Sequence, residues 1–394
     1  MTRTLWALTA AVGFLVAAGL GVDAEQTPSC TVFVQPGQSI QAVINDVPEG
    51  AVICLADGGW VERLTIEKSL TLRGGSTTTI CSGEPDRILI SVRRPVGSDR
   101  VSVVLDGLRL IGFLGEPALG ARGAATITVG GGAEVVIANC AISGSGFGVN
   151  LWNSSTVAMT DCTITGNQVG VLVEGWAKAT ISGCTVSKNR DTGIQVYGAT
   201  VEVAGCTLAE NEYGVRSSSS GGVTLADSMI SDNQFAVLLD GSAVATVTQC
   251  TVYHNGNGIW LTDSAQALIQ TCSISRSGTA ISIESTGLAI IDGCSIFANS
   301  TGIELQGAAI ALVRDNVIQT NMLVGVETRD EECLSEQLSE FLGHPSFTGR
   351  VTGGGNTIPD WNEPHGNGGG SICPGALAFL MTKEGGELDR RPAP

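Results

Sequence analysis

Seven cysteines fall at a fixed spacing of 22 residues, Cys140, Cys162, Cys184, Cys206, Cys250, Cys272 and Cys294, with Ser228 in the one gap. A second ladder follows five residues behind, at Asn167, Asn189, Asn211, Asn233, Asn255, Asn299 and Asn321, with Ser145 and Ser277 in the same register. A period of this length marks an architecture of stacked repeats. Within each unit the Asn is followed by an apolar-x-apolar pair, such as Val149 and Leu151, Val171 and Val173, or Ile259 and Leu261. A further alternating segment comes after it, for example Ala245-Thr246-Val247. Three short period-two segments separated by Gly, Asn, Ser or Thr, with no helical period and no Pro, read as a coil of three strands.

Strands recurring at the same place in successive coils pair in parallel, and parallel crossovers are right-handed in nearly all proteins. The expected fold is therefore all-β, a right-handed parallel β-helix or solenoid of 22-residue coils. Equal residues then stack at roughly 4.8 Å, with Val, Ile and Leu filling the bore and Asn amides bonding up the stack.

The stacked thiols cannot form disulfides, because their Cβ atoms point the same way instead of converging to about 3.8 Å. Nor does a row of thiols offer zinc its tetrahedron, and the chain has no C-x-x-C pair. They are expected to be buried, inert, small apolar fillers. The other five, Cys30, Cys54, Cys81, Cys333 and Cys373, are the disulfide candidates, Cys333 with Cys373 first.

Arg3, an apolar run from Leu5 to Leu20 and Val22-Asp23-Ala24 read as a secretory signal over residues 1–24, which predicts a secreted or periplasmic protein. No later apolar run is long enough to span a membrane. A net charge of −17 and only 15% charged residues exclude nucleic acid and anionic lipid as partners, and make a strongly anionic ligand awkward without a bridging cation.

The open ends of a β-solenoid need covers. Ser39 to Asp46 reads as a short amphipathic helix over the N-terminal opening, and Asp330 to Leu342 as a helix near the other end, before a Gly-rich tail from Gly353 to Gly370. Irregular strands are expected at Ala51 to Leu55, Leu70 to Arg73, Ile88 to Val92 and Val101 to Leu105. This divides the mature chain into an N-terminal cap with irregular coils at 25–135, regular coils at 136–328, and a C-terminal cap and tail at 329–394.

The opening Val34-Gln35-Pro36-Gly37-Gln38-Ser39-Ile40-Gln41-Ala42-Val43-Ile44, then Gly50-Ala51-Val52-Ile53, Leu64-Thr65-Ile66 and Ser69-Leu70-Thr71-Leu72-Arg73-Gly74, resembles the start of secreted right-handed β-helix proteins of the pectin-lyase-like superfamily. The repeats are similar to those of the periplasmic copper-protein maturation factor for nitrous oxide reductase and of the carbohydrate-binding and sugar-hydrolase β-helix group. That resemblance implies the fold and a link to glycans, while the superfamily spans lyases, glycosidases, esterases, epimerases and chains without activity. The Asp-Pro-His-Glu epimerase motif, the Asp-Asp with His-Gly of polygalacturonase-like hydrolases and the methylesterase set are all absent. His254, His344 and His365 are scattered with no His-x-His pair for copper, and His254 reads as a solvated turn residue.

The strand after each Asn turn presents two outward rows. Trp152, Tyr197 and Trp260 stand on them as expected sugar-stacking platforms, two and three coils apart. Arg216, flanked by Glu174 and Asp240 with Glu284 and Glu304 farther up, marks where an acid and base would act if chemistry occurs. Those carboxylates also offer hard oxygen ligands to Ca²⁺, and no other cofactor is expected. The favoured reading is an exported, non-catalytic protein that binds extracellular or cell-surface polysaccharide, or a structural element of the envelope. The alternative is a polysaccharide lyase, glycoside hydrolase or epimerase working on this face.

Overall fold

A computed structural model describes residues 29–85, 87–98, 100–113, 124–329, 347–359, 367 and 372–391. The signal expected over residues 1–24, Cys333 and the helix expected at Asp330 to Leu342 lie outside these residues, as does most of the tail expected at Gly353 to Gly370.

The described chain winds into three sheets of 15, 12 and 13 strands, taken here in the order that a coil visits them as first, second and third. One coil runs from Thr156–Thr160 through Thr163–Thr165 to Val169–Glu174. Each strand pairs in parallel with its equivalent one coil away, so Val157 meets Ala179, Ile164 meets Val186 and Val149 meets Val171. The solenoid of roughly 22-residue coils expected from the ladders is thus the fold.

The corners explain why the period is so strict. A residue of left-handed backbone conformation precedes each ladder position, for example Asp161 before Cys162 and Lys188 before Asn189, with φ of 53° and 55°. Gly183 and Gly166 occupy equivalent places at no steric cost. Such a corner turns the chain in one residue and leaves backbone groups facing the bore, and the ladder side chain satisfies them. The Asn233 amide donates to the carbonyls of Leu208 and Ser231 at 3.0 and 2.9 Å, and to Asn255 Oδ1 at 3.1 Å. Its Oδ1 accepts from the Asn211 N–H at 3.0 Å. His254 occupies one of these left-handed corner positions, exposed, with its Nδ1 on Asp232.

The cysteine ladder does the same work at the preceding corner. The N–H of Cys162 donates to Cys184 Sγ at 3.3 Å, and Cys184 Sγ reaches the Ser182 carbonyl at 3.3 Å. Ser228 and Asn316 take over at 3.1 and 2.8 Å where cysteine is absent. All seven thiols are free and buried, as expected, and beyond filling space they hydrogen-bond the corner backbone.

Aliphatic residues fill the bore, including Ile142, Ile164, Val186, Leu208 and Ile230 in one column, all fully buried. Each such side chain contributes about 1.5–3 kcal/mol by burial. At the N-terminal end the helix Ile40–Asp46 lays Ile40 and Ile44 over the opening, with Ser39 as its cap. Gln41 continues the third sheet where its strands end, accepting from the Thr65 N–H at 2.7 Å and donating to the Thr65 carbonyl at 3.1 Å. At the other end Gly386–Asp389 closes the first sheet antiparallel to Arg350–Gly354.

Cys30 and Cys54 form a disulfide with Cα atoms 5.7 Å apart. Cys81, a disulfide candidate by sequence, is instead a buried free thiol directed at the Trp60 carbonyl, because it pairs in the second sheet with Ile111 and faces no other cysteine among the described residues. Cys373 is disulfide-bonded, while Cys333 lies outside the described residues.

Candidate functional site

The third sheet carries the outward rows. Alternation fixes them: Val215, Val237 and Ile259 point into the bore, so Arg216, Leu238 and Trp260 point out one above another. The second row places Glu174 beside Tyr197, which is followed by Ser218.

Aromatic residues form two groups on this face. Trp152 and Tyr197 are 41% and 36% exposed, and the Tyr197 hydroxyl accepts from Gln195 Nε2 at 2.9 Å. Trp176, just past Glu174 at the corner, is 83% exposed. Higher up, Tyr213 and Phe235 stack with ring centroids 5.3 Å apart and planes inclined by 12°, and Phe235 meets Trp260 at 5.3 Å. All three rings are half-buried. Trp260 is therefore one end of an aromatic strip and not an isolated platform.

Arg216 lies over the Tyr213 ring, its guanidinium carbon 5.3 Å from the centroid, and faces Asp240 at 3.4 Å. The Ser218 hydroxyl donates to the same Asp240 oxygen at 3.0 Å. Glu174 stands two coil steps below Arg216, roughly 10 Å by strand spacing, so it does not flank Arg216 as expected.

Two and three coils above Asp240, at Glu284 and Glu304, the face changes character. Glu304 is only 4% exposed although it projects from the outer side of the coil, and it pairs with Arg329. Gln306 Nε2 donates to Glu304 at 2.8 Å and to Glu284 at 3.4 Å, joining the two carboxylates. Burial, then the neighbouring Glu304 charge, push the Glu284 carboxyl upward, and Arg329 opposes them. The same two causes push Glu327 up to about 7. Of the residues expected to act together, Arg216 and Asp240 form one group and Glu284 and Glu304 another. Among the described residues no three His, Cys, Asp or Glu side chains converge as a metal site.

Sequence reasoning missed Tyr213, Phe235, Trp176, Glu327 and Arg329. The signal for the first two was present, since both stand two residues after a ladder Asn, in consecutive coils. Glu327 and Arg329 continue the two rows but follow a coil lengthened by one residue, where Thr301 pairs with Val324.

No curated protein sequence matches this chain at a significant level. Among solved structures, it is similar to the catalytic unit of a thermostable GH87 α-1,3-glucanase from Streptomyces thermodiastaticus strain HF3-3, with 14% identity, 84% of this chain and 69% of that chain covered, and a TM-score of 0.65. It is also similar to a mutant of the periplasmic alginate epimerase AlgG, with 14% identity over 87% of this chain and 80% of that one, and a TM-score of 0.50. At such identities the likeness is one of fold. The family model described as right handed beta helix region matches residues 121–236 and 235–340. With more than half of its length so matched, the chain belongs to the right handed beta helix region family.

Proposed function

We propose that this protein is exported to the periplasm or cell exterior, where it binds polysaccharide along the outer face of the third sheet without turning it over. The carrying observation is the strip Tyr213, Phe235 and Trp260 with Arg216 and Asp240 at its edge. Flat rings cover the apolar faces of sugars at low entropic cost, and adjacent charged and hydroxyl groups meet sugar hydroxyls. The fold is shared with a glucanase and an alginate epimerase, proteins named for polysaccharides, which supports a glycan as the class of ligand.

The second reading, turnover by a lyase, hydrolase or epimerase, is favoured by the upward shifts of Glu284 and Glu327 beside Glu304, since paired carboxylates of unequal acidity are what acid and base catalysis uses. Against it, Glu304 is covered and held by Arg329 and Gln306.

The test incubates residues 25–394 with neutral and acidic polysaccharides, with and without Ca²⁺, and follows retention and released ends together. Retention without product is expected. Substituting Tyr213→Ala or Phe235→Ala weakens retention about tenfold, as lost aromatic anchors do. Product that disappears in Glu284→Gln overturns the binding reading.

A further inference from the structure

The outward rows of the third sheet continue downward into the N-terminal coils, where Asn150 pairs with Thr128, Thr128 with Ser91 and Ser91 with Thr65. There the face ends in a cleft of about 490 Å³ whose walls include Gln41, Arg63, Thr65, Arg87 and Ser91. The floor is held firm, because both ends of the Gln41 amide are engaged by the Thr65 backbone and Asn45. Among the described residues Arg63 makes no hydrogen bond or ion pair and Arg87 faces only Glu84, across 3.6 Å, with the Arg87 and Glu84 side chains exposed. The next arginine along, Arg93, is already matched by Glu67 at 2.6 Å.

Two guanidinium groups and two hydroxyls line this cleft with no described acidic wall residue, in a chain of net charge −17. Guanidinium forks match the planar, bidentate geometry of carboxylates and the oxygens of sulfate. The molecule's negative charge does not cancel this locally, because charges more than about 10 Å away are largely screened at 0.1 M salt. We infer that the cleft takes the carboxylate or sulfate of an acidic sugar unit. Resting on the glycan-binding reading, this makes the ligand an acidic polysaccharide laid along the coil axis. Trp152 stands two coil steps above Ser91, roughly 10 Å away, so a sugar chain anchored in the cleft passes the exposed rings.

The test uses a galacturonic acid hexamer, its fully methyl-esterified form, which differs only in charge, and inorganic sulfate. Phenylglyoxal modification of Arg63 and Arg87, mapped by mass spectrometry, reports the cleft, and tryptophan fluorescence reports the aromatic face. The acid hexamer and sulfate are expected to protect both arginines, and the ester not to. The double substitution Arg63→Gln with Arg87→Gln weakens acid-hexamer affinity by about tenfold or more and leaves ester affinity unchanged. Equal protection by acid and ester, no protection by acid or sulfate, or full acid affinity in the double variant each overturns the inference. Protection of the arginines with silent tryptophans upholds the cleft and removes the glycan path. Fluorescence changes without charge preference do the reverse.

Discussion

At the scale of single residues, the structure pairs well-satisfied polar groups with a few that are not, and the exceptions predict measurable effects. Ser217 lies in the bore between Val196 and Leu239, fully buried, with its hydroxyl unpartnered. A buried hydroxyl without a hydrogen bond costs about 1–3 kcal/mol, so Ser217→Ala is expected to raise stability by about 1 kcal/mol in urea unfolding. An unchanged or lower midpoint would show that the hydroxyl is in fact satisfied. Glu327 predicts a pH dependence. Its folded pKa is raised from 4.5 to about 7, so the folded state holds the proton more tightly than the unfolded chain. Stability is therefore greatest below pH 4.5, declines as pH rises toward 7, and levels off beyond, with a total loss of about 3 kcal/mol from this group. Glu327→Gln should remove this slope and be the more stable protein at pH 8, which unfolding midpoints across pH 5 to 8 would check.

At the scale of the coil, the corners carry the specificity of the fold. In Asn233→Ala the Asn211 N–H loses its acceptor and the Leu208 and Ser231 carbonyls lose their donor, all away from water. A loss of at least about 3 kcal/mol is expected. Cys184→Ser should cost less than about 1 kcal/mol, because Cys184 Sγ accepts from the Cys162 N–H and Ser228 already fills the equivalent place with the same acceptor role toward Cys206. If thermal melts show the two losses to be alike, the hydrogen-bonding account of the cysteine ladder fails. This level was the most legible in the sequence, because a corner repeated every coil leaves the same residue type in phase. The role of the thiol was hidden, since burial and repetition look the same for a filler and for a hydrogen-bonded corner. The aromatic strip was half legible: Trp260 stood out by its alternation, whereas Tyr213 and Phe235 open their strands and show as a pair only when coils are overlaid. The arginine-lined cleft left no periodic trace, because its coils differ in length and Arg63 and Arg87 share no register.

For the whole molecule, a solenoid is a one-dimensional stack in which each coil contacts its neighbours, so stability is regional and the ends decide how the protein behaves in company. The N-terminal end rests on one carboxylate that no motif announces. Glu62 accepts hydrogen bonds from the Ser39 hydroxyl at 2.6 Å, the Ile40 N–H at 2.8 Å and the Gln41 N–H at 3.2 Å, which ties the first turn of the covering helix to the coil beneath. A negative group there also meets the positive end of the helix dipole. The helix is a single short element of seven residues, too short to persist without such contacts. Glu62→Ala is expected to release it at a local cost of about 2–3 kcal/mol, while the Cys30–Cys54 disulfide keeps the first strand on its sheet. The exposed strand edge then seeks another chain, as uncovered edges do. The variant should lose hydrogen-exchange protection over Ile40–Asp46 and Leu64–Ile66 while the coils from Cys140 onward keep theirs, and light scattering should show association that rises with concentration. A monodisperse Glu62→Ala protein with native protection at Leu64–Ile66 would mean that the bore closes without its helix.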